Sequence, residues 1–467
     1  MSVPPLNDEQ TRGKEILAVL DTAFGDLLAA DPAALRALYR RLAASALAFH
    51  RGTACLFHHD LGSGTAGGPR PDAYLDERTS RVWIHGDLHV ESFGTRLDAN
   101  GCLVFGADGF DEAYVGPFTW DLKRFVASLA VLGHTKALGD EQITELVTCY
   151  ATAYRDRIHA LATGARSDEG PPLTTDTAEG PLLDTLRCAR SLTRLGLLES
   201  LTEIRDFERR FTSGGDAIEL DAATRYKVLA AFDGYLETLP DASLARPESY
   251  RVKDVVGRRG IGSGPAGRLS YDILLEGHSD ALEDDVVITI RQARSPAVAR
   301  YVTDPAIRDR FVHEGHRTVV CRRALQEHPD PWLGWTELDG AGQVVSEVSP
   351  YAVGLDWEGI DDPEEMAQVV ADLGRATAAM HAAADDPSGE SLVPFPAERA
   401  IDAAIAGDEE GFVPLLVDFA HAYGARARAD HRIFVDLLRG GQGPGLQEKP
   451  GPWADGPVDK TGRRQNP

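Results

Sequence analysis

Cysteine is scarce and scattered: the chain has five, Cys55, Cys102, Cys149, Cys188 and Cys321, and no Cys-x-x-Cys pair. That spacing excludes a zinc ribbon and a disulfide framework, and leaves reduced, packed thiols. Long apolar runs are missing as well. No stretch approaches ~18 uninterrupted apolar residues, and residues 1–13 hold neither a basic segment nor an apolar one. A membrane span and a secretory leader are therefore unexpected, and the cytoplasm is the expected compartment. Basic charge is also short, with 48 Lys and Arg against 73 Asp and Glu, a formal net charge of -25. Such a field repels nucleic acid and anionic membranes, so neither is an expected partner. Any phosphate-bearing ligand must be held by a local basic or backbone site.

What is present is enough for a large core: 467 residues, 43% of them hydrophobic, suit two or three packed units. Asp31-Pro32 followed by Leu35, Leu38, Tyr39 and Leu42 predicts a helix reaching about residue 49. The short apolar runs 81–84 and 102–105 read as strands and are expected to pair as a hairpin. From Trp120 the period becomes helical, through 132 and again over 140–161. A Gly, Pro, Ser and Thr-rich stretch, 164–180, reads as an excursion, and helices resume to about 239. The character then switches to strands at 250–256, 269–275 and 286–291, a helix over 305–326, and strands at 332–338 and 344–348 around Asp339-Gly340. Beyond 361 the pattern is helical to about 438, and the Gly, Pro and charge-rich tail 440–467 is expected to be disordered.

The strongest chemical signal is HGDLHVES, His85 to Ser92, which sets Asp87 between His85 and His89 on a loop straight after a strand. A carboxylate there suits orientation of a hydroxyl proton in phosphoryl transfer. A polar turn with its histidines bonded to backbone is the alternative. FGADGFDE follows, placing Asp108, Asp111 and Glu112 after a second strand, where Asp111 is the better metal candidate and Glu112 the more ordinary turn former. In GPFTWDLKRFVAS, Asp121 begins a helix and is placed to accept backbone N–H groups of the Asp87 loop, or to serve as a simple helix N-terminal acid. GRRGIGSGPAGR, residues 257–268, offers backbone N–H groups and arginines to phosphate but lacks a Walker signature. A different reading joins His85, Asp87 and His89, with His58, His59 and Asp60, in a transition-metal site.

The run His85-Gly86-Asp87-Leu88-His89 resembles the catalytic loop of aminoglycoside and choline phosphotransferases, members of the protein-kinase-like superfamily. The ordered set AFHRG at 48–52, HGDLHVESFG, FDE with GPFTWDLKR, the glycine loop, and GHRTVVCRRALQ at 315–326 is similar to the uncharacterised bacterial domain-of-unknown-function 2252 family. The resemblance implies an α+β, circularly permuted protein-kinase-like fold, since the glycine-rich sheet follows the catalytic loop instead of preceding it. It implies a helical catalytic lobe over 1–243 carrying the loop hairpin, a small antiparallel β lobe over 244–352 with a hinge at 344–351, and returning helices over 353–439. It implies an ATP-dependent, magnesium-using phosphotransferase acting on a hydroxyl-bearing small molecule. Asp87 would be the base and Asp121 the loop brace. Gly260, Gly262, Ser263 and Gly264 would cover phosphates, and Arg291 would stand in for the strand lysine. Asp111, Asp108 and Ser92 would take the metal positions, with Gly109 and Val320 where the family pattern has an acid. A nucleotide-binding protein without phosphoryl transfer is the second implied reading.

Overall fold

The computed structural model describes residues 9–64, 72–164, 172–245, 250–259, 269–383 and 392–442. The glycine loop 260–268 and the tail beyond 442 lie outside them. The molecule is α+β: a helical body built around Phe118–Thr135, and a six-stranded antiparallel sheet.

Phe118–Thr135 is buried along most of its length: its apolar residues fill the core, and its few charged ones, Asp121, Lys123 and Arg124, are each bonded within the protein. Phe125 stacks on Tyr150 of Asp140–Thr163 with ring centroids 4.0 Å apart. Pro363–Ala382 packs tightly on the same helix at Gly374, where a Cβ would fall 2.4 Å from the Tyr150 carbonyl oxygen. Glu409–Arg439 closes the body. The first helix, Glu9–Ala30, lies against it: Arg12 donates to Asp430 at 3.0 and 2.7 Å and to Asp60 at 2.9 and 2.8 Å.

The sheet runs in the order Gly334–Leu338, Ala341–Glu347, Val286–Gln292, Leu269–Leu275, Val252–Arg259, Ala217–Ile218. Ile288 and Ile290 face the helix Ala222–Leu236 in a core with Phe232, Tyr235 and Trp332. The opposite face meets Glu314–Leu325 through Val319, Ala293 and Val344. Arg291 alternates with Ile290, so it is on this second face. The connection leaving the sheet docks on Phe93–Leu97: the Thr95 hydroxyl donates to the Tyr351 carbonyl at 2.6 Å and the Thr95 N–H to that of Val353 at 2.9 Å.

Four sequence expectations change, the first being the helix from Asp31 to about residue 49, which is two, Pro32–Leu42 and Ala46–Gly52, the second capped by Ser45. Val82–Ile84 pairs with Tyr114–Gly116, and Leu103–Ala107 pairs with Phe93–Leu97, so the expected hairpin of 81–84 with 102–105 does not form. The turn at Asp98, Asn100 and Gly101 joins the nearest strand, and tight turns select sequence neighbours. Residues 202–211 form a hairpin, and the Ala222–Leu236 helix belongs to the sheet's core, so the sheet-bearing body begins upstream of 244. The helix expected over 305–326 is two, Pro305–Arg308 and Glu314–Leu325, the second capped by the His313 side chain.

Candidate functional site at the Asp87 loop

The loop after Val82–Ile84 is fixed by its own polar groups. Gly86 sits at φ +77°, and a Cβ there would fall 2.1 Å from the Glu112 carbonyl oxygen, so only glycine passes. Asp121 accepts the N–H of His85 at 2.6 Å and of Gly86 at 2.9 Å. His381 Nε2 lies 3.2 Å from the same carboxylate, and its Nδ1 is 2.8 Å from the Tyr154 hydroxyl. Burial alone would raise Asp121, but the His381 hydrogen bond and charge, with the His85 N–H, hold it below the usual carboxylate value. His58 Nε2 donates to the Gly86 carbonyl at 2.6 Å, and burial pushes this imidazole down to about 4.

The three central side chains differ in availability. His85 accepts the Asp87 N–H at Nδ1 (3.3 Å) and donates from Nε2 to the Asp108 carbonyl (2.8 Å), so backbone occupies both ring nitrogens. His89 accepts the Glu91 N–H at 3.2 Å and is buried, and burial with Arg51 and Arg124 nearby keeps it neutral. Asp87 is about a fifth exposed, at 21%. Its Oδ1 is gripped by Arg124 through Nε at 2.5 Å and through Nη2, leaving Oδ2 without a partner among the described residues. Burial raises the Asp87 carboxyl against the pull of Arg124, His85 and Arg51. Arg124 itself is buried: it donates to the His50 and Arg51 carbonyls at 2.9 and 3.3 Å and lies 5.2 Å from the Phe57 ring.

Among the expected metal positions, the Ser92 hydroxyl staples the loop, donating to the Asp87 carbonyl and accepting the His89 N–H, both at 3.0 Å. Asp108 is exposed. Asp111 Oδ1 meets Arg291 Nη1 at 2.6 Å, joining the Asp87 body to the sheet. Burial would raise Asp111, but Arg291 leads Arg317 and Arg322 in holding it low. Arg317, buried, ties this junction by donating to the carbonyls of Ala113 (2.5 Å), Asp111 (2.9 Å) and Arg294 (2.8 Å). Glu112 accepts the Ala297 N–H at 2.6 Å, and burial, with Asp87 and Asp111 adding to it, raises its carboxyl to about 7.

The structure therefore sets Asp121 under the Asp87 loop and Arg291 on Asp111, with the His85–Asp108 hydrogen bond linking the loop to the segment that carries Asp111. Gly260, Gly262, Ser263 and Gly264 lie outside the described residues. The transition-metal set does not assemble: Asp60 is enclosed by Arg12, Arg426 and Tyr423, and His59 faces Glu15 and Tyr301. Among the described residues, no three His, Cys, Asp or Glu side chains converge to hold a metal ion. Sequence reading missed Arg124, three residues past Asp121 and thus on the same helix face. It also missed Arg317 and His381, whose partners are remote in sequence.

The profile described as "Uncharacterized protein conserved in bacteria (DUF2252)" matches residues 30–437, most of the chain. The chain belongs to this family. No curated protein and no solved structure matches this DUF2252 member. The matched span takes in both the Asp87 loop and the whole sheet, so the site lies within the family's own region.

Proposed function

We propose that this DUF2252 protein is a circularly permuted, protein-kinase-like phosphotransferase that moves a phosphoryl group from ATP to a hydroxyl-bearing small molecule. One observation carries the reading. The Asp111–Arg291 pair at 2.6 Å sets the strand cation of the sheet against the segment that follows the Asp87 loop. Kinase chemistry needs a loop aspartate, a strand cation and a metal-binding acid around one nucleotide. The sheet supports it too: two strands flank the glycine-rich stretch, the third carries Arg291, and a helix and hairpin follow. The first and last helices are neighbours, with Gly13 against Ile433 and Leu437, an arrangement that permutation requires.

Asp87 is suited to the acceptor. Arg124 fixes one carboxylate oxygen, and Oδ2, without a partner among the described residues, would take the hydrogen bond of an incoming hydroxyl and orient it. Asp121 would keep the loop in that pose through His85 and Gly86. Arg291 fits a phosphate oxygen once it exchanges Asp111 for ligand, and Asp111 at 37% exposure fits as one carboxylate ligand of magnesium. The Ser92 hydroxyl, engaged on both sides, does not fit as a second. When bound, magnesium would neutralise phosphate charge.

Ser92 also favours a second reading, a nucleotide-binding protein that transfers nothing. Asp87→Asn separates the two. In a phosphotransferase this variant loses turnover, screened over hydroxyl-bearing acceptors with Mg-ATP, and keeps nucleotide affinity by calorimetry. Wild-type ATP binding with no turnover that depends on Asp87 would leave the binding protein standing.

A further inference from the structure

We propose that Arg322 and Arg291 form a two-guanidinium clamp for a di- or triphosphate chain at the junction of sheet and Asp87 body; the assignment of that chain to ATP rests on the phosphotransferase reading. The Glu314–Leu325 helix lies along residues 107–113 and carries two arginines toward them. Arg317 is satisfied by three carbonyls and Glu314. Arg322 is not. Its Nε donates to Gln326 Oε1 at 2.9 Å, and Gln326 Nε2 donates to the Ala107 carbonyl at 3.2 Å. This relay pins the guanidinium beside the segment leading to Asp111, while neither Nη of Arg322 meets a partner among the described residues.

Arg291 has the same character, with one Nη on Asp111 and the other unpartnered among the described residues. Arg96, on Phe93–Leu97, donates to the Glu327 and His328 carbonyls, at 2.9 and 3.2 Å, and Asp98, Asp108 and Asp330 offset its charge from a distance. The field of Arg322 reaches both Asp111 and Arg96. Several half-buried guanidinium groups gathered about the one directly paired carboxylate, Asp111, are costly to hold together, and a chain of net charge -25 has carboxylates enough to pair more of them. Leaving N–H forks open at one place suits a ligand that brings several anionic oxygens, and guanidinium planes match phosphate geometry.

The test is calorimetry on the full chain with pyrophosphate, inorganic phosphate, Mg-ATP and adenosine, for wild type, Arg322→Gln and Arg322→Lys. Among the described residues the one side-chain hydrogen bond of Arg322 is to Gln326, so the variants should fold, as thermal melts would verify. The expected result is a roughly ten- to a hundredfold loss of pyrophosphate and Mg-ATP affinity in Arg322→Gln, a smaller loss in Arg322→Lys, and no change for adenosine. Orthophosphate should bind more weakly than pyrophosphate. Unchanged affinities in Arg322→Gln, or no pyrophosphate binding by wild type, would overturn the clamp. Mg-ATP binding indifferent to Arg322 would remove the clamp and leave the phosphotransferase reading; pyrophosphate binding through Arg322 without recognition of ATP would do the reverse.

Discussion

Asp121 shows how much one carboxylate organises. It accepts two backbone N–H groups of the loop and faces His381, all buried. Asp121→Ala leaves those donors without an acceptor and should cost roughly 3–5 kcal/mol in urea unfolding at pH 7. Its folded pKa is depressed, so its contribution is complete above the unfolded Asp value of about 4 and fades as pH falls through the folded one. The gap between wild type and variant should hold from pH 5 to 8 and narrow only in acid; a loss under about 1 kcal/mol would show that the loop does not depend on this acceptor. Glu112 behaves oppositely. Its carboxyl is raised from 4.5 to about 7, so the fold favours the neutral form and the protein should lose stability as pH climbs through that window, by at most about 3 kcal/mol. Glu112→Gln keeps an acceptor for the Ala297 N–H and should flatten this slope, becoming the more stable protein above pH 7. Parallel pH curves would contradict it. Of these residues, Asp87 and Asp121 were legible in the sequence because each sits at a defined offset from an element boundary. Glu112 was not, since the FDE string does not reveal how closely Gly86 and Ala297 enclose it.

At the scale of elements, periodicity located most helices and the sheet strands but not their partners. The Phe118–Thr135 helix was visible from its apolar spacing, whereas the pairing of Val82–Ile84 with Tyr114–Gly116 depends on a short hairpin intervening between them. Phe93–Leu97 was hidden by the motif that precedes it, although Phe93, Thr95 and Leu97 alternate as a strand should. The loop itself is held by Ser92 as well as Asp121. Ser92→Ala leaves the His89 N–H without its acceptor and should cost about 1–2 kcal/mol, with the effect the same in magnesium and in chelator. A stability change that appears only with magnesium would instead make Ser92 a metal ligand.

For the whole molecule, charge and topology act together. The acidic surface is expected to disfavour polyanions generally, while Arg96, Arg291, Arg317 and Arg322 gather at one junction between the sheet and the helical body. The concentration of arginine at this junction is a property of the folded chain, because its members come from segments separated by about two hundred residues. The same holds for Arg12, Asp60 and Asp430, which tie the first helix to the last. The most direct test is therefore titration of the intact protein with Mg-ATP by calorimetry, in wild type and in Arg291→Gln. A cleft shared by the Asp87 loop and the sheet predicts saturable heat below millimolar nucleotide and a roughly tenfold or greater loss of affinity in the variant. No heat at millimolar Mg-ATP, or equal binding by both proteins, would contradict it.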